Sequence, residues 1–555
     1  MTDLLRAVPR DVLLLILEAL PKADLKTLSQ ASSWLQDSVA STLWKSITIK
    51  SRGESHLHDL PTNSLPYRRL RTANRLHLWA SFIRVTDNRC PHIYDYPRWM
   101  CSHDDEIHDE PQRALYFDDF ADKVESLLDH MEPDQLQSFR ALVPDHIQPL
   151  SVVLQNNSVH LNSLELDFAN LLEIYSIGNS LDHDENDASD SSGDQDNGVS
   201  NTSSNTSDVE NEKACRFKKP SFFASTMLGV DPNSPTLLFP RIRVLSLSLV
   251  PLTASMASVF NFDTLLSLKL RLCPRWEVFI ECVLKLNRPI KLKTLEIQVD
   301  DNEDTILDLV DAFEGLEELF LSHTGPVPEL QIWEILARRH TTLRRLIHPL
   351  GLRDLADLSI YGRDMRRIKG DPSKNPLAEL HLEFVGLACI PGRMKYILLP
   401  FTSKTSLKAI HIRQTMSDIS NFRSWALVDI LPPLISRAND DASSDSDLTT
   451  YTEDSIPGSD WDFDFTQREP ELRNEFCYFA EWAFGLDGIP SLDIIAFGDF
   501  AYGGRENDRN VLLGRNTSGT SNFRMLEAKA GEWKDALDKY HVAMGACPVD
   551  HLFTF

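Results

Sequence analysis

Long hydrophobic runs are missing from this 555-residue sequence; the longest unbroken aliphatic stretch is Val12–Leu17. A membrane-spanning helix needs about 20 apolar residues, so none is expected. A secretory leader is not expected either. Asp3 precedes the apolar stretch, Pro9-Arg10-Asp11 interrupts it, and no small-residue cleavage site follows. Cysteine is sparse, with eight residues and no CxxC pair, which fits reduced, mostly buried thiols and a cytoplasmic and/or nuclear protein. Positive charge is short: 56 Lys and Arg stand against 82 Asp and Glu. A nucleic-acid surface needs a basic face, and none is visible, so neither nucleic acid nor membrane is an expected partner.

Catalytic signatures are also lacking. There is no phosphate loop, GxGxxG, GxSxG or HExxH, and no carboxylate pair stands out as acid and base. Cys90, His92, Cys101, His103 and His108 crowd into CPHIYDYPRWMCSHDDEIH. The one-residue gaps within each Cys/His pair do not match the usual zinc spacing, so the stretch reads as a polar loop anchored by aromatics. No catalytic residue, metal or cofactor is expected.

What the sequence has in excess is acid, and much of it is local. Residues 179–212 carry ten acids and residues 439–464 carry nine, with no Lys or Arg in either. Without these nineteen the formal net charge of −26 falls to about −7. Both tracts are rich in Asp and Ser and poor in apolar residues, and cannot offset the entropy of ordering. They read as disordered acidic insertions in an ordered frame. Trp461, Phe463 and Phe465 end the second and are candidates to dock. Ser191, Ser207 and Ser444 each have an acid three residues on, so phosphorylation is a sharper alternative to a plain spacer.

Between the tracts runs a repeating pattern, apolar-x-x-apolar-x-apolar. It occurs as LNSLEL (161–166), IRVLSL (242–247), LLSLKL (265–270), LKTLEI (292–297), LEELFL (316–321), LAELHL (377–382), LKAIHI (407–412) and LDIIAF (492–497), with LRRLIH (343–348) one position short. Alternation predicts short strands with one buried face. WEVFIECVLKL (276–286), DTILDLVDAF (304–313) and LQIWEILARR (330–339) have helical spacing. The period of about 23–34 residues is that of leucine-rich repeats, whose units bury their inner faces only against neighbours. An ordinary α/β domain with a parallel sheet is the alternative. The Asn or Cys usual after such a strand is mostly missing; only Cys273 falls there.

The N-terminus reads as three helices. Pro9 suits a helix start. Val12, Leu13, Ile16, Leu17 and Leu20 form an apolar stripe, and Pro21 ends it. Asp24-Leu25 opens a second helix with Leu28, Ala31 and Leu35, and Val39, Leu43, Trp44 and Ile47 follow. Such a unit is small for burying its own apolar surface.

These residues resemble an F-box, matching at Pro9, Val12, Leu13, Ile16, Leu17, Leu20, Asp24, Leu25, Leu28, Val39, Leu43, Trp44 and Ile47. Val8, Asp11 and Ser32-Ser33 depart from the pattern. With the repeats behind it, the chain resembles the fungal-type F-box/leucine-rich-repeat family. The resemblance implies an α/β fold: an F-box over 1–50, then a linker or helical region with the first repeats over 51–150. An irregular leucine-rich-repeat solenoid follows over 151–178 and 213–438, with a C-terminal repeat or cap over 465–555. It implies a non-enzymatic substrate-recognition subunit of a Skp–cullin–F-box ubiquitin ligase, with the F-box docking on a Skp-type adaptor and through it on a cullin. The repeats would hold a protein target on their strand face. The adaptor would touch Pro9, Leu13, Ile16, Leu17, Leu20, Leu25 and Leu28. A scaffold with no ligase role is the alternative.

Overall fold

The computed structural model describes residues 8–31, isolated positions to 43, 45–51, 73–80, 133–142, 149–168, 220–231 and 236–299. Beyond these it describes 303–323, 329–348, 362–414, 424–428, 471–501, 510–516, 519–528 and 531–548, with single residues between. Both acidic tracts, the Cys90–His108 cluster, Ser32-Ser33 and Trp44 lie outside the described residues. The chain forms an α/β fold of two compact units, Met1–Glu314 with Asp550–Phe555, and Gly315–Val549. The division at 314/315 falls inside the stretch that the sequence reads as one run of repeats.

The first unit begins with helices α1 (Arg10–Glu18) and α2 (Lys22–Ala31); positions 35, 38, 39, 42 and 43 are also helical. Strands β1 (Ser46–Ser51), β2 (Arg75–Ala80), β3 (Ser138–Leu142), β4 (Ser163–Asp167), β5 (Val244–Ser248), β6 (Ser267–Arg271) and β7 (Thr294–Gln298) follow. They are joined in part by α3 (Pro149–Asn157), α4 (Pro220–Met227) and α5 (Trp276–Lys285), and α6 (Glu303–Asp311) comes after β7. The strands pair in sequence order and all are parallel.

The register explains the sequence pattern. Leu76, Phe139, Leu164, Leu245, Leu268 and Leu295 stand opposite one another in one row; Leu78, Ala141, Leu166, Leu247, Leu270 and Ile297 form the next. All twelve are buried. Burying one such side chain is worth about 1.5–3 kcal/mol, so the two rows are the main adhesive of the sheet. The entry to each strand repeats too. The backbone N–H groups of Leu266 and Ser267 both donate to the carbonyl of Arg243, and those of Lys293 and Thr294 both donate to Leu266. After β5 and β6 the chain turns through a left-handed leucine, Leu249 (φ 58°) and Leu272 (φ 49°), a conformation that costs a non-glycine residue energy and persists only where neighbours hold it. Cys273 stands beside the second turn, buried, with its Sγ donating to the Leu247 carbonyl at 3.2 Å. Burial pushes its thiol pKa up to about 12.

The second unit holds β8 (Glu318–Ser322), β9 (Arg345–His348), β10 (Phe384–Leu387), β11 (Ala409–Ile412) and β12 (Ile494–Phe497), with α7 (Glu329–Arg339), α8 (Gly362–Gly370), α9 (Pro391–Leu398) and α10 (Asn474–Phe484) between them. These five strands are parallel. The last two, β13 (Val511–Arg515) and β14 (Phe523–Met525), join antiparallel, and α11 (Gly531–Met544) comes after them. Burial alternates along β4 and β6, whereas β10, β11 and β12 are buried at every position. A strand reads as continuously apolar when both of its faces are covered.

Two expectations are corrected. LAELHL (377–382) is not a strand: Pro376–Glu379 is a 3₁₀ turn capped by Asn375, whose side chain accepts from the Leu377 N–H. The strand is β10, five residues on, where Leu382, Val385 and Leu387 repeat the same spacing. Leu377, Leu380 and Leu382 are nonetheless buried; their burial as turn residues is what made the earlier frame look right. Ile47 belongs to β1, not to the third helix.

Candidate functional site

The N-terminal helices form a small core of their own. Leu13, Leu17, Leu25, Leu35 and Val39 are its buried members, with Val8, Leu20, Leu28 and Leu43 packed against it. Pro9 precedes α1 and its carbonyl accepts from the Leu13 N–H at 2.9 Å; Pro21 stands in the same relation to Leu25 at 3.1 Å. Proline is suited to this place because the helix needs no N–H there.

The opposite side of α1 is apolar and open. Val12 is 45% exposed, Leu15 67% and Ile16 44%, and Pro9 is exposed beside them. Spacing of three and four residues places Val12, Leu15 and Ile16 on one helix face. Of the seven residues expected to meet an adaptor, Pro9 and Ile16 are on this open face. Leu20 and Leu28 are half-buried. Leu13, Leu17 and Leu25 are internal core, a division among the seven candidates that the sequence left open. Val12 and Leu15 complete the face. Their signal was present in the sequence: a helix apolar on nearly all sides has more than one packing partner.

The strand faces offer a second candidate surface. In the first unit, the face opposite the leucine rows is polar. Arg140, Glu165, Ser246, Lys269 and Glu296 stand in one register row. Arg140 lies 3.4 Å from Glu165, both well exposed. Glu296 is fully buried and takes Arg271 at 2.7 Å and Lys269 at 3.5 Å. A buried carboxylate needs such partners to remain charged.

In the second unit the corresponding face is filled by the chain itself. Phe320, Ile347, Phe384, Ala409, Ile494, Ala496 and Leu512 pack with Trp533, Ala536, Tyr540, Ala543 and Met544 of α11 in one core. Gly386 gives the backbone room there: a Cβ would sit 2.9 Å from Ile347 Cγ1. In this unit that strand face is therefore covered by the chain's own helix α11.

Several buried polar groups in the second unit are paired. His323 and His348 share a hydrogen bond between their Nε2 atoms at 2.9 Å. Arg515 donates to the carbonyls of Phe484, Ile489, Pro490 and Leu492, tying the β12 approach to β13. Among the described residues no group of three or more His, Cys, Asp or Glu could hold a metal ion, and no helix is long and apolar enough to cross a membrane. No protein-family model matches this sequence, and no curated protein matches it.

Proposed function

We propose that the chain is the substrate-recognition subunit of a Skp–cullin–F-box ubiquitin ligase, with catalysis left to other subunits. The observation that carries this reading is the division of α1 into two apolar sides. One side builds the helical core; the other, Pro9, Val12, Leu15 and Ile16, is left exposed on a unit that has already used Leu13 and Leu17. A contiguous exposed apolar face marks a protein partner. The F-box pattern in these same residues supplies the partner's class, a Skp-type adaptor. The in-order parallel strands with recurring leucine rows support the reading of the rest as an irregular leucine-rich-repeat solenoid, closed by the antiparallel β13 and β14. The protein target would meet its polar strands.

The test is a pull-down with the adaptor, comparing wild type with Leu15→Asp plus Ile16→Asp. These positions are exposed, so the variant keeps its helical circular dichroism while charge on the face removes binding. Leu17 is unsuitable because its loss would unfold the unit. Retained binding by the folded variant overturns the assignment of this face. The rival reading is an adaptor-binding scaffold with no ligase role; it predicts that cullin does not co-purify.

A further inference from the structure

Three helices of the second unit pack side by side, with α9 between α8 and α10. In an acidic chain, two of them are basic. α8 and α9 carry Arg363, Arg366, Arg367, Lys369, Arg393 and Lys395 against one acid, Asp364, while the whole chain has 82 acids to 56 Lys and Arg. Arg366, Arg367, Lys369 and Lys395 are exposed. Arg367 is taken by Glu334 of α7 at 3.2 Å.

The lysines are interleaved with rings. The Lys369 ammonium on α8 lies 5.0 Å from the ring centre of Tyr396 on α9. The Lys395 ammonium on α9 lies 5.3 Å from the ring centre of Trp482 on α10. Among the described residues, neither lysine is held by a carboxylate. The two contacts draw one band across the three helices. At its α10 end the band is apolar. Tyr478 and Trp482 are one turn apart on α10, and Leu486 follows two residues past its end. Tyr478 is 75% exposed and Leu486 wholly so. Apolar residues scattered singly on a surface are ordinary, but a run of them beside exposed cations marks a place for a partner.

We propose that this band docks a short acidic segment of another protein, in which carboxylates flank an aromatic or aliphatic side chain. The carboxylates meet Lys369 and Lys395, and the apolar side chain meets Tyr478, Trp482 and Leu486. Charge complementarity selects this occupant. A ring holds an exposed ammonium weakly, and leaves its hydrogens for a stronger, charge-assisted bond to a carboxylate. A long polyanion such as nucleic acid meets repulsion from the rest of a chain of net charge −26; a segment of a few residues stays within the basic band, and salt screens the remainder. The surface is separate from α1 and goes beyond the adaptor reading without resting on it.

Fluorescence anisotropy on the full chain tests it, with the labelled peptide Glu-Glu-Trp-Glu-Glu-Leu as probe. Wild type is expected to bind the probe, and the same peptide with Gln for each Glu not to compete. Lys369→Glu plus Lys395→Glu should weaken binding by about tenfold or more. Tyr478→Ser plus Leu486→Ser should weaken it by about tenfold as well. All four positions are exposed, so both variants keep the wild-type circular dichroism. No binding by wild type, or equal affinity in the lysine variant, overturns the proposal. Tighter binding of a single-stranded DNA of about 20 nucleotides through the same lysines also overturns it, and assigns the band to nucleic acid. Binding that appears only after residues 439–464 are replaced by a Gly-Ser linker overturns a partner in trans, and makes that acidic tract the occupant. The adaptor pull-down reads α1 alone and is untouched by any of these results.

Discussion

Arg271 donates its Nε hydrogen to Glu296 across 2.7 Å, from β6 to the fully buried carboxylate on β7. The pair, with Lys269 behind it, is the most enclosed charge contact among the described residues on the polar strand face of the first unit. Removing one side of a buried pair leaves the other charge without compensation. Arg271 keeps about a fifth of its side chain exposed, which lowers the penalty. Glu296→Gln should therefore cost about 1–3 kcal/mol, read as a lower urea midpoint at unchanged slope. An unchanged midpoint would mean the carboxylate contributes nothing net.

Gly386 on β10 makes a sharper prediction. At Gly386 a Cβ would meet Ile347 Cγ1 at 2.9 Å and Phe384 at 3.4 Å, both in a filled core. Gly386→Val should destabilise the fold by about 1–3 kcal/mol through overpacking. Gly386→Val combined with Ile347→Ala should recover part of that loss. Thermal unfolding of the two variants decides it, and no recovery would place the strain elsewhere.

Two buried histidines set the response to acid. Burial, with His323 adding to it, holds the His348 pKa well below its ordinary 6.5. Burial first, then the Arg413 charge, lowers His411 to about 3, against the opposing Gly498 hydrogen bond. A depressed histidine pKa means that the unfolded chain takes up the proton first. The associated stability is complete above pH 6.5 and is lost as pH falls from there; for His411 the loss runs down toward pH 3 and reaches roughly 2 kcal/mol at pH 5. Urea midpoints at pH 7.5 and 5.0 should show this loss, and His348→Gln should reduce it. An equal loss in both proteins would assign the acid response to other groups.

The second acidic tract sits between two points that the fold holds together. The Val428 N–H donates to the Glu471 carbonyl at 2.9 Å and the Arg473 N–H to the Ala426 carbonyl at 2.8 Å, with Leu427 and Leu472 bridged antiparallel. With its stem closed in this way, the tract can be shortened. Replacing 439–464 with a six-residue Gly-Ser linker should leave the circular dichroism unchanged. It should raise stability by no more than about 1 kcal/mol, the modest entropy saved in a shorter loop. Loss of cooperative unfolding would show that the tract is part of the ordered frame.

The apolar spacing of residues 161–412 by itself determined most of the strands, because a period of two is imposed by the pleat and needs only local information. It also placed α5, α6 and α7 within a residue or two. The missed strands β2 and β3 carry the same spacing, with Ala73, Phe139 and Ala141 in leucine positions. Pattern reading by residue type passed over them, although their burial demands only an apolar side chain.

What the spacing could not decide was which of two equally spaced frames pairs with its neighbours. LAELHL and the sequence from Leu382 satisfy the same rule, and the capped turn at Asn375 chose between them. Nor could it decide which side of α1 faces inward. Val12, Leu13, Leu15, Ile16 and Leu17 are alike in hydrophobicity, and only packing against Leu25, Leu35 and Val39 drew Leu13 and Leu17 inside. The covering of the second unit's strand face was half legible. FVGL, AIHI and IIAF announce burial on both faces, but that the cover is α11, over a hundred residues beyond Arg413, follows from tertiary contact alone. Hydrophobic period is a local property of a chain; partnership between faces belongs to the folded whole.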